Sequence, residues 1–538
     1  MRRVLPALFA LLAAASPALA AAGSYPPPSS AERAEARRHF TADAVRTLSD
    51  RSGDLFVLPR KYNFLTGHPT EKKTTSHIRR DGRNVAFATA GVSHGASWDY
   101  DSAIPLVLWG PGFIRQGQVS RRPAAQQDLV PTIAQLIGAP RPSDARGRVL
   151  EEAIMPTGKK PKVVLTLVFD QGGDQLYRFH PGQAPFIDRL RREGTDFERA
   201  RVSHLDQETG VGHVAIGTGA FPKDHGMPSN EYFHGGRGGG YYGFWGPEDL
   251  PAPYMLMSPT LGDVWLKATR NQALLLSYCY ADRAAIGMGG HGSFYRGNKK
   301  PWVYYLDADT GTLATNPRYY ALPPSAAAEP LKAWGDRVSC GAWLGHPLKR
   351  AKDYQATPYL PAWEGEHLAR VLEAEPFGQD DVTDLIYVSL KSTDITGHIY
   401  GQESIEAGEV LKAQDRQAER LVRLLEKKVG RENLVVALSA DHGAPPLPEL
   451  SGGSRLLEQR LLDDLNARFD KLDDGFPLAQ FVTGTQVWID QSQLEGSGAT
   501  LEAIKAALLA YEVDGKPFFE TAYTRQELES MVRLDLAP

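Results

Sequence analysis

Cysteine is scarce. The 538 residues contain two, Cys279 and Cys340. Two thiols exclude a disulfide scaffold and a cysteine-built zinc site. A single bridge between them stays open, and closing that loop would contribute about 4 kcal/mol. An excess of one charge is also lacking. Sixty Lys and Arg face 64 Asp and Glu, a formal charge of -4. That near balance argues against a surface devoted to gripping nucleic acid. Long apolar runs are missing beyond the first twenty residues, so no membrane span of ~20 residues is expected. Internal repeats are absent. What is there is ordinary globular material, 42% hydrophobic and 23% charged, enough to build a core. The 52 glycines and 38 prolines imply many loops. The length allows several domains or one large α/β domain.

The N-terminus reads as an address. Arg2 and Arg3 precede the apolar Val4 to Ala15, and Ala18-Leu19-Ala20 is a cleavage pattern. Residues 1–20 are expected to be a signal peptide and 21–30 a linker. No Cys follows the cleavage site, so no lipid anchor is expected. The mature protein is expected in the periplasm or secreted, where an oxidising compartment permits the Cys279–Cys340 bridge.

The remaining chain alternates buried strands with helices. Val163 to Phe169 (VVLTLVF), Leu385 to Leu390 (LIYVSL) and Leu434 to Ser439 (LVVALS) are continuous apolar runs. Such runs are typical of parallel strands buried on both faces. Asn84 to Ala90 and Pro105 to Trp109 read as further strands. Helical patterns cover 33–50, 184–193, 261–269 and 404–428. Asp128 is placed to cap a helix that Gly138 stops. Residues 156–161 (PTGKKP) read as a second linker. This alternation predicts an α/β fold with a mainly parallel sheet.

Three of the buried strands lead into carboxylates: Asp170, Asp394 and Asp441. In open parallel sheets ligands bind beyond the carboxyl ends of the strands, so these acids are expected to converge. Asp394 and His398 are spaced i, i+4, which puts both on one face of a helical turn. Asp441 and His442 are adjacent, which predicts diverging side chains in a loop. Carboxylate with imidazole suits zinc or a similar divalent ion. Between these strands Thr209 precedes a glycine-rich helical run that approaches a ligand closely. Its hydroxyl is a candidate nucleophile if a metal ion lowers its pKa. A plain helix cap is the alternative.

The segments VVLTLVFD, ETGVGHVAIGTGAFPKDHGMPSNEYF, LIYVSLKSTDITGHIYG and VVALSADHG resemble the alkaline phosphatase superfamily. The likeness is to bacterial alkaline phosphatases with a Thr nucleophile and to type I phosphodiesterases/nucleotide pyrophosphatases. One motif of that family is displaced. Its zinc-binding His segment, normally near the C-terminus, is here Ser93-His94-Gly95-Ala96-Ser97-Trp98-Asp99-Tyr100-Asp101, followed by IPLVLWGPGF. The sequence therefore looks circularly permuted. Residues 31–155 resemble the family's C-terminus, 156–161 join them to the usual first strand, and 162–538 resemble the main catalytic portion. A small cap is expected at about 230–380, and 31–538 are expected to form one catalytic domain. Arg51 to Asp54 would continue in space what Pro538 breaks off.

The resemblance implies a three-layer α/β/α sandwich and two divalent metal ions, zinc first among them. Asp394, His398 and His94 match the ligands of one ion. Asp170, Asp441, His442 and the Thr209 hydroxyl match those of the other. Asn230 and Arg283 match residues that hold phosphoryl oxygens. The lysine of the family's Lys-x-Arg clamp is replaced by Ala281, which weakens the case for monoesters. The implied function is hydrolysis of small phosphate esters through a phosphothreonine intermediate. Alternatives are a phosphodiesterase or nucleotide pyrophosphatase with the same site, and an inactive binding protein. No stable nucleic-acid partner and no membrane are expected, and the oligomeric state stays open. Two further patterns carry little weight. Cys279-Tyr280-Ala281-Asp282-Arg283 fits a sulfatase motif but stands away from the nucleophile position. Gly91-Val92-Ser93-His94-Gly95 fits a nucleophile elbow but no helical pattern follows it. His213 and His225 are expected to be structural, and His180, His204 and His291 loop or supporting residues. The Tyr and Trp residues of 301–320 are expected to pack rather than to stack a base.

Overall fold

The computed structural model describes residues 25–67, 73–80, 82–233, 240–247, 249–292 and 300–535. The expected signal peptide lies outside the described residues, as do 21–24 of the expected linker. The run Val163–Phe169 is buried at every position. It lies between Asp384–Leu390 and Leu434–Ser439, parallel to both. Leu275–Cys279 and then Trp302–Asp307 extend the parallel part. The full sheet has nine strands, in the order 312–314, 302–307, 275–279, 384–390, 163–169, 434–439, 106–109, 195–197, 118–120.

The period of two along each strand sorts side chains to opposite faces. Val164, Val168, Leu385 and Val435 join a core with the helices 129–137, 209–218, 261–268 and 282–289. Leu165, Leu167, Ile386 and Val436 join another with the helices 185–193, 359–374 and 405–429. The result is the expected three-layer α/β/α sandwich. The helix Ile405–Val429 starts where Ser404 accepts a hydrogen bond from the Ala407 amide. Asp128 precedes Leu129–Ile137 but does not cap it. Its carboxylate instead accepts from the amides of Ala125 and Arg148.

The strand Leu106–Trp109 joins the same sheet, antiparallel to Leu434–Ser439. Arg83–Thr89 does not. It forms a separate two-stranded hairpin with Thr74–Arg80, and its exposed residues give it no buried face to offer a sheet. A second sheet of four antiparallel strands runs 479–482, 486–489, 55–59, 519–524. Its third strand comes from near the N-terminus and sits between strands from near the C-terminus. The Arg525 amide bonds to the Asp54 carbonyl at 2.8 Å. The range expected as an inserted cap, 230–380, is divided. Its strands 275–279, 302–307 and 312–314 belong to the large sheet, whereas helix Leu331–Val338 and the hairpin Ala342–Trp343/His346–Pro347 stand outside it. Residues 156–161 form neither helix nor strand. Both cysteines are free, Cys279 buried at a strand end and Cys340 exposed, so the two are not bridged. Among the described residues no helix is long and apolar enough to cross a membrane.

Candidate active site

The three acids converge because their strands are neighbours that end on the same edge. Asp170 directly follows Val163–Phe169, Asp441 stands two residues after Leu434–Ser439, and Asp394 lies in the first turn of helix Ser392–Tyr400. The helical spacing brings His398 Nε2 within 3.2 Å of Asp394 Oδ1. His94, from the N-terminal third, reaches the same oxygen at 3.5 Å. His442 and Asp441 do not diverge as adjacency predicted. The loop turns the imidazole back, so that His442 Nε2 lies 3.3 Å from Asp441 Oδ2. His94 stacks on His442 with ring centres 3.7 Å apart.

All three imidazoles are held alike. His94 Nδ1–H donates to the Gln207 carbonyl, His398 Nδ1–H to Val92 and His442 Nδ1–H to Gly443. Those bonds fix the tautomer and leave each Nε2 lone pair turned toward the carboxylates, the arrangement that orients a metal-ligating histidine. The backbone enforces it locally. Gly91 has φ 69°, and a Cβ there would stand 2.0 Å from the His398 carbonyl oxygen. Gln171 also has a positive φ, 58°. That turn points its amide N–H at Asp441 Oδ1, while its side chain donates to Asp394 Oδ1 at 3.0 Å.

Thr209 opens the helix Thr209–Thr218 and is 2% exposed. The side chain of Glu208, the residue before it, caps nothing in that helix; it accepts from Ser229 and from the Asn230 amide. Sequence reasoning missed Lys391. Its Nζ donates to Thr209 Oγ1 at 2.9 Å and to Asp170 Oδ2 at 2.9 Å, and lies 2.6 Å from Asp394 Oδ2. The signal was present, since Lys391 is the first residue after a buried strand that leads to Asp394. Burial works against the ammonium, but Asp170 and Asp394 outweigh it and hold its pKa well above the ordinary value. Gln171 and His213 were also missed as site neighbours. His213 bonds the Thr209 carbonyl and the Ser389 hydroxyl, and its ring lies 3.5 Å from Asp441 Oδ2.

An open pocket of about 380 Å3 lies in front of these groups, lined by Thr209, Asn230, Arg283, His94 and His398 among others. Asn230 Oδ1 accepts from the Gly210 amide, which fixes its amide group beside Thr209. Ala281 sits at the start of the helix Asp282–Gly289 that carries Arg283. Of the other histidines, His204 and His225 are buried away from the pocket lining.

At this site, among the described residues, two groups of donor atoms are packed closely enough for metal ions: His94, Asp394 and His442, and Asp170, Asp441 and His442, so that His442 belongs to both and His398, expected beside His94 and Asp394, to neither. Asp170 Oδ1, Asp441 Oδ2 and His442 Nε2 are buried without a hydrogen bond. Burial raises the carboxyl pKa of Asp170 to about 6 and that of Asp441 well above its ordinary value, with Asp170 adding to the latter. Buried carboxyl oxygens and an imidazole nitrogen left without hydrogen bonds fit divalent cations, which would supply the missing partner and favour the ionised acids.

The chain is similar to several known proteins over most of its length. The sequence model of the type I phosphodiesterase / nucleotide pyrophosphatase family matches residues 164–534. The alkaline phosphatase PhoV of Synechococcus elongatus is 29% identical over 419 residues, 68% of this chain and 74% of that protein. The alkaline phosphatase PafA of Elizabethkingia meningoseptica is 26% identical over 401 residues, 64% of this chain and 72% of that protein. The crystal structure of wild-type PafA shares the fold with a TM-score of 0.55 at 22% identity, covering 65% of this chain and 76% of its own.

Proposed function

The chain belongs to the type I phosphodiesterase / nucleotide pyrophosphatase family, and from that premise we propose that it hydrolyses small phosphate monoesters with Thr209 as nucleophile and two divalent ions, zinc first among them. The observation that carries this is the arrangement around Thr209: three imidazoles fixed through Nδ1 with Nε2 inward, and buried acid oxygens without partners. His94, Asp394 and His398 would hold one ion. Asp170, Asp441, His442 and Thr209 would hold the other. When bound, the ions supply Lewis acidity to the attacking and leaving oxygens.

The chain's own groups do the rest. Thr209 Oγ1 stands at a helix N-terminus, where an incoming phosphoryl anion is favoured. Lys391 keeps that oxygen oriented and sets positive charge beside it as its proton leaves. The Oγ–phosphorus bond forms in line as the ester bond breaks, and the alcohol departs with a proton. Asn230 and Arg283, on the pocket wall, face the equatorial oxygens and stabilise their developing charge. Water then cleaves the phosphothreonine and frees Thr209. Hydrolysis of diesters is the second reading, favoured by Ala281, which leaves the first residue before the Arg283 helix without a cation.

We also read the chain as permuted and exported. The antiparallel pairing of 106–109 with 434–439, and the strand 55–59 between 486–489 and 519–524, support the first. The N-terminal pattern ending in Ala18-Leu19-Ala20 supports the second. The deciding experiment replaces Thr209 with Ala. The variant is expected to fold and bind zinc but to lose turnover by ~10³-fold or more. Acid-quenched parent enzyme should carry a phosphoryl group on Thr209 by peptide mass spectrometry. Full activity in Thr209→Ala would end this mechanism.

A further inference from the structure

Glu406 is fully buried in the first turn of the helix Ile405–Val429 and lies outside the groups just described. Two imidazoles from remote parts of the chain meet one of its oxygens. His77 Nδ1 lies 2.6 Å from Oε1, and His346 Nε2 lies 3.0 Å from the same atom. Oε2 accepts the His77 backbone N–H at 3.1 Å, which locks the carboxylate's rotation. The three donor atoms are all within 4.8 Å of one another. The imidazoles are 22% and 15% exposed, so water can reach an ion held between them. The His346 ring is backed by Tyr400, with centres 4.7 Å apart.

The elements that bring these residues give the cluster a purpose. His77 is on the hairpin Thr74–Arg80/Arg83–Thr89, and His346 is on Ala342–Trp343/His346–Pro347. Both are two-stranded sheets joined to no other strand. An isolated hairpin is marginal in water and needs packing or a clamp. At the cluster both hairpins touch the helix Ile405–Val429 through Glu406.

We propose that His77, His346 and Glu406 form a divalent transition-metal site, separate from the hydrolytic centre, that pins both hairpins to the helix Ile405–Val429. Two imidazoles and a carboxylate, with a fourth position open to water, are a donor set of the zinc class. Bonds of ~2.0–2.2 Å to a tetrahedral ion need donors ~3.3 Å apart, so the two imidazole–carboxylate separations, 2.6 and 3.0 Å, open by less than ~1 Å. Burial alone would raise the Glu406 pKa, but bonds from His346 and His77 outweigh it, so the carboxylate is anionic and ready to ligate. The pin has a route to the hydrolytic centre. The first hairpin ends at Thr89, whose hydroxyl accepts from the Gly91 amide, and His94 follows three residues later.

The test is anomalous diffraction at the zinc edge from crystals of the mature protein grown with zinc, joined to metal counting in solution. A peak within bonding distance of His77 Nδ1, His346 Nε2 and Glu406 Oε1 is expected. His346→Ala and His77→Ala should each hold one zinc fewer than the parent, the double variant also one fewer, and turnover should stay within a few-fold. The rise in melting temperature on adding zinc should shrink in both. Peaks at Asp170 and Asp394 with none at His77 would overturn the pin and leave the hydrolytic reading intact. A peak at His77 with none at Asp394 would do the reverse. Variants that hold as much zinc as the parent would reduce the cluster to His–Glu hydrogen bonding.

Discussion

Lys391 and Ala281 decide where positive charge stands around Thr209 and Arg283. A lysine is missing from the residue two before Arg283, yet a buried ammonium stands at 2.9 Å from Thr209 Oγ1. The two positions predict different kinetic patterns. On the proposed mechanism Lys391 acts on the attacking oxygen, through its bond to Thr209 Oγ1, and not on the ester's extra charge. Lys391→Met, measured at saturating zinc, should therefore slow monoesters and diesters alike, by roughly 10- to 100-fold for one charge-assisted contact. Ala281→Lys adds a cation beside Arg283, which lines the pocket. It should raise monoester turnover selectively, in transition-state terms by ~1–2 kcal/mol. A panel of nitrophenyl monoesters and diesters reads both. A selective monoester loss in Lys391→Met, or an equal gain for both esters in Ala281→Lys, would contradict this division of labour.

At the scale of elements, buried strands and helices were legible because each carries its own periodicity. The helix Tyr359–Ala374 was not singled out, and it holds a pH-sensitive group. Glu364 is fully buried on it, accepting from the Tyr278 hydroxyl at 3.2 Å. Burial raises its carboxyl pKa to about 8, against an ordinary value near ~4.3. The folded chain therefore keeps a proton that the unfolded chain releases first. Stability is lost as pH rises from ~4.3 toward 8 and stays reduced above that. Glu364→Gln should match the parent near pH 4.5 and exceed it at pH 9 by about 2–4 kcal/mol. Denaturant midpoints at the two pH values check this, and an equal difference at both would refute it. The isolated hairpins were harder to read. Arg83–Thr89 has strand composition, but the sequence could not say that its single partner would be Thr74–Arg80.

The whole molecule depends on its N-terminal third. Leu106 and Leu108 pack into one core, Val107 and Trp109 into the other. Leu55 and Val57 fill a third beneath the small sheet. A chain beginning at Lys162 would expose all of these partners and lack His94. It should be insoluble or inactive, whereas His94→Ala in the full chain should fold and hold about one metal equivalent less. A reordered chain running from Lys162 to Asp535 and then through a short linker into residues 30–155 should fold and turn over within a few-fold of the parent. Failure of that chain to fold, beside a normal parent, would count against the permuted reading.

The sequence alone determined the parallel central strands and the carboxylates at their ends, and through its family resemblance the sandwich and the list of ligand candidates. Buried strands announce themselves as apolar runs, and the carboxylates at their ends follow from how parallel sheets place ligands. It also placed His94 with residues 300 positions away, through a displaced motif. Tertiary structure decided what no local pattern encodes. The position of Lys391 after a buried strand marks it as near the site, but only packing brings its ammonium between Asp170, Asp394 and Thr209. The turn of His442 back onto Asp441 depends on a loop whose backbone its neighbours fix. His77, His346 and Glu406 share no motif at all, because their meeting is set by where two hairpins land on one helix.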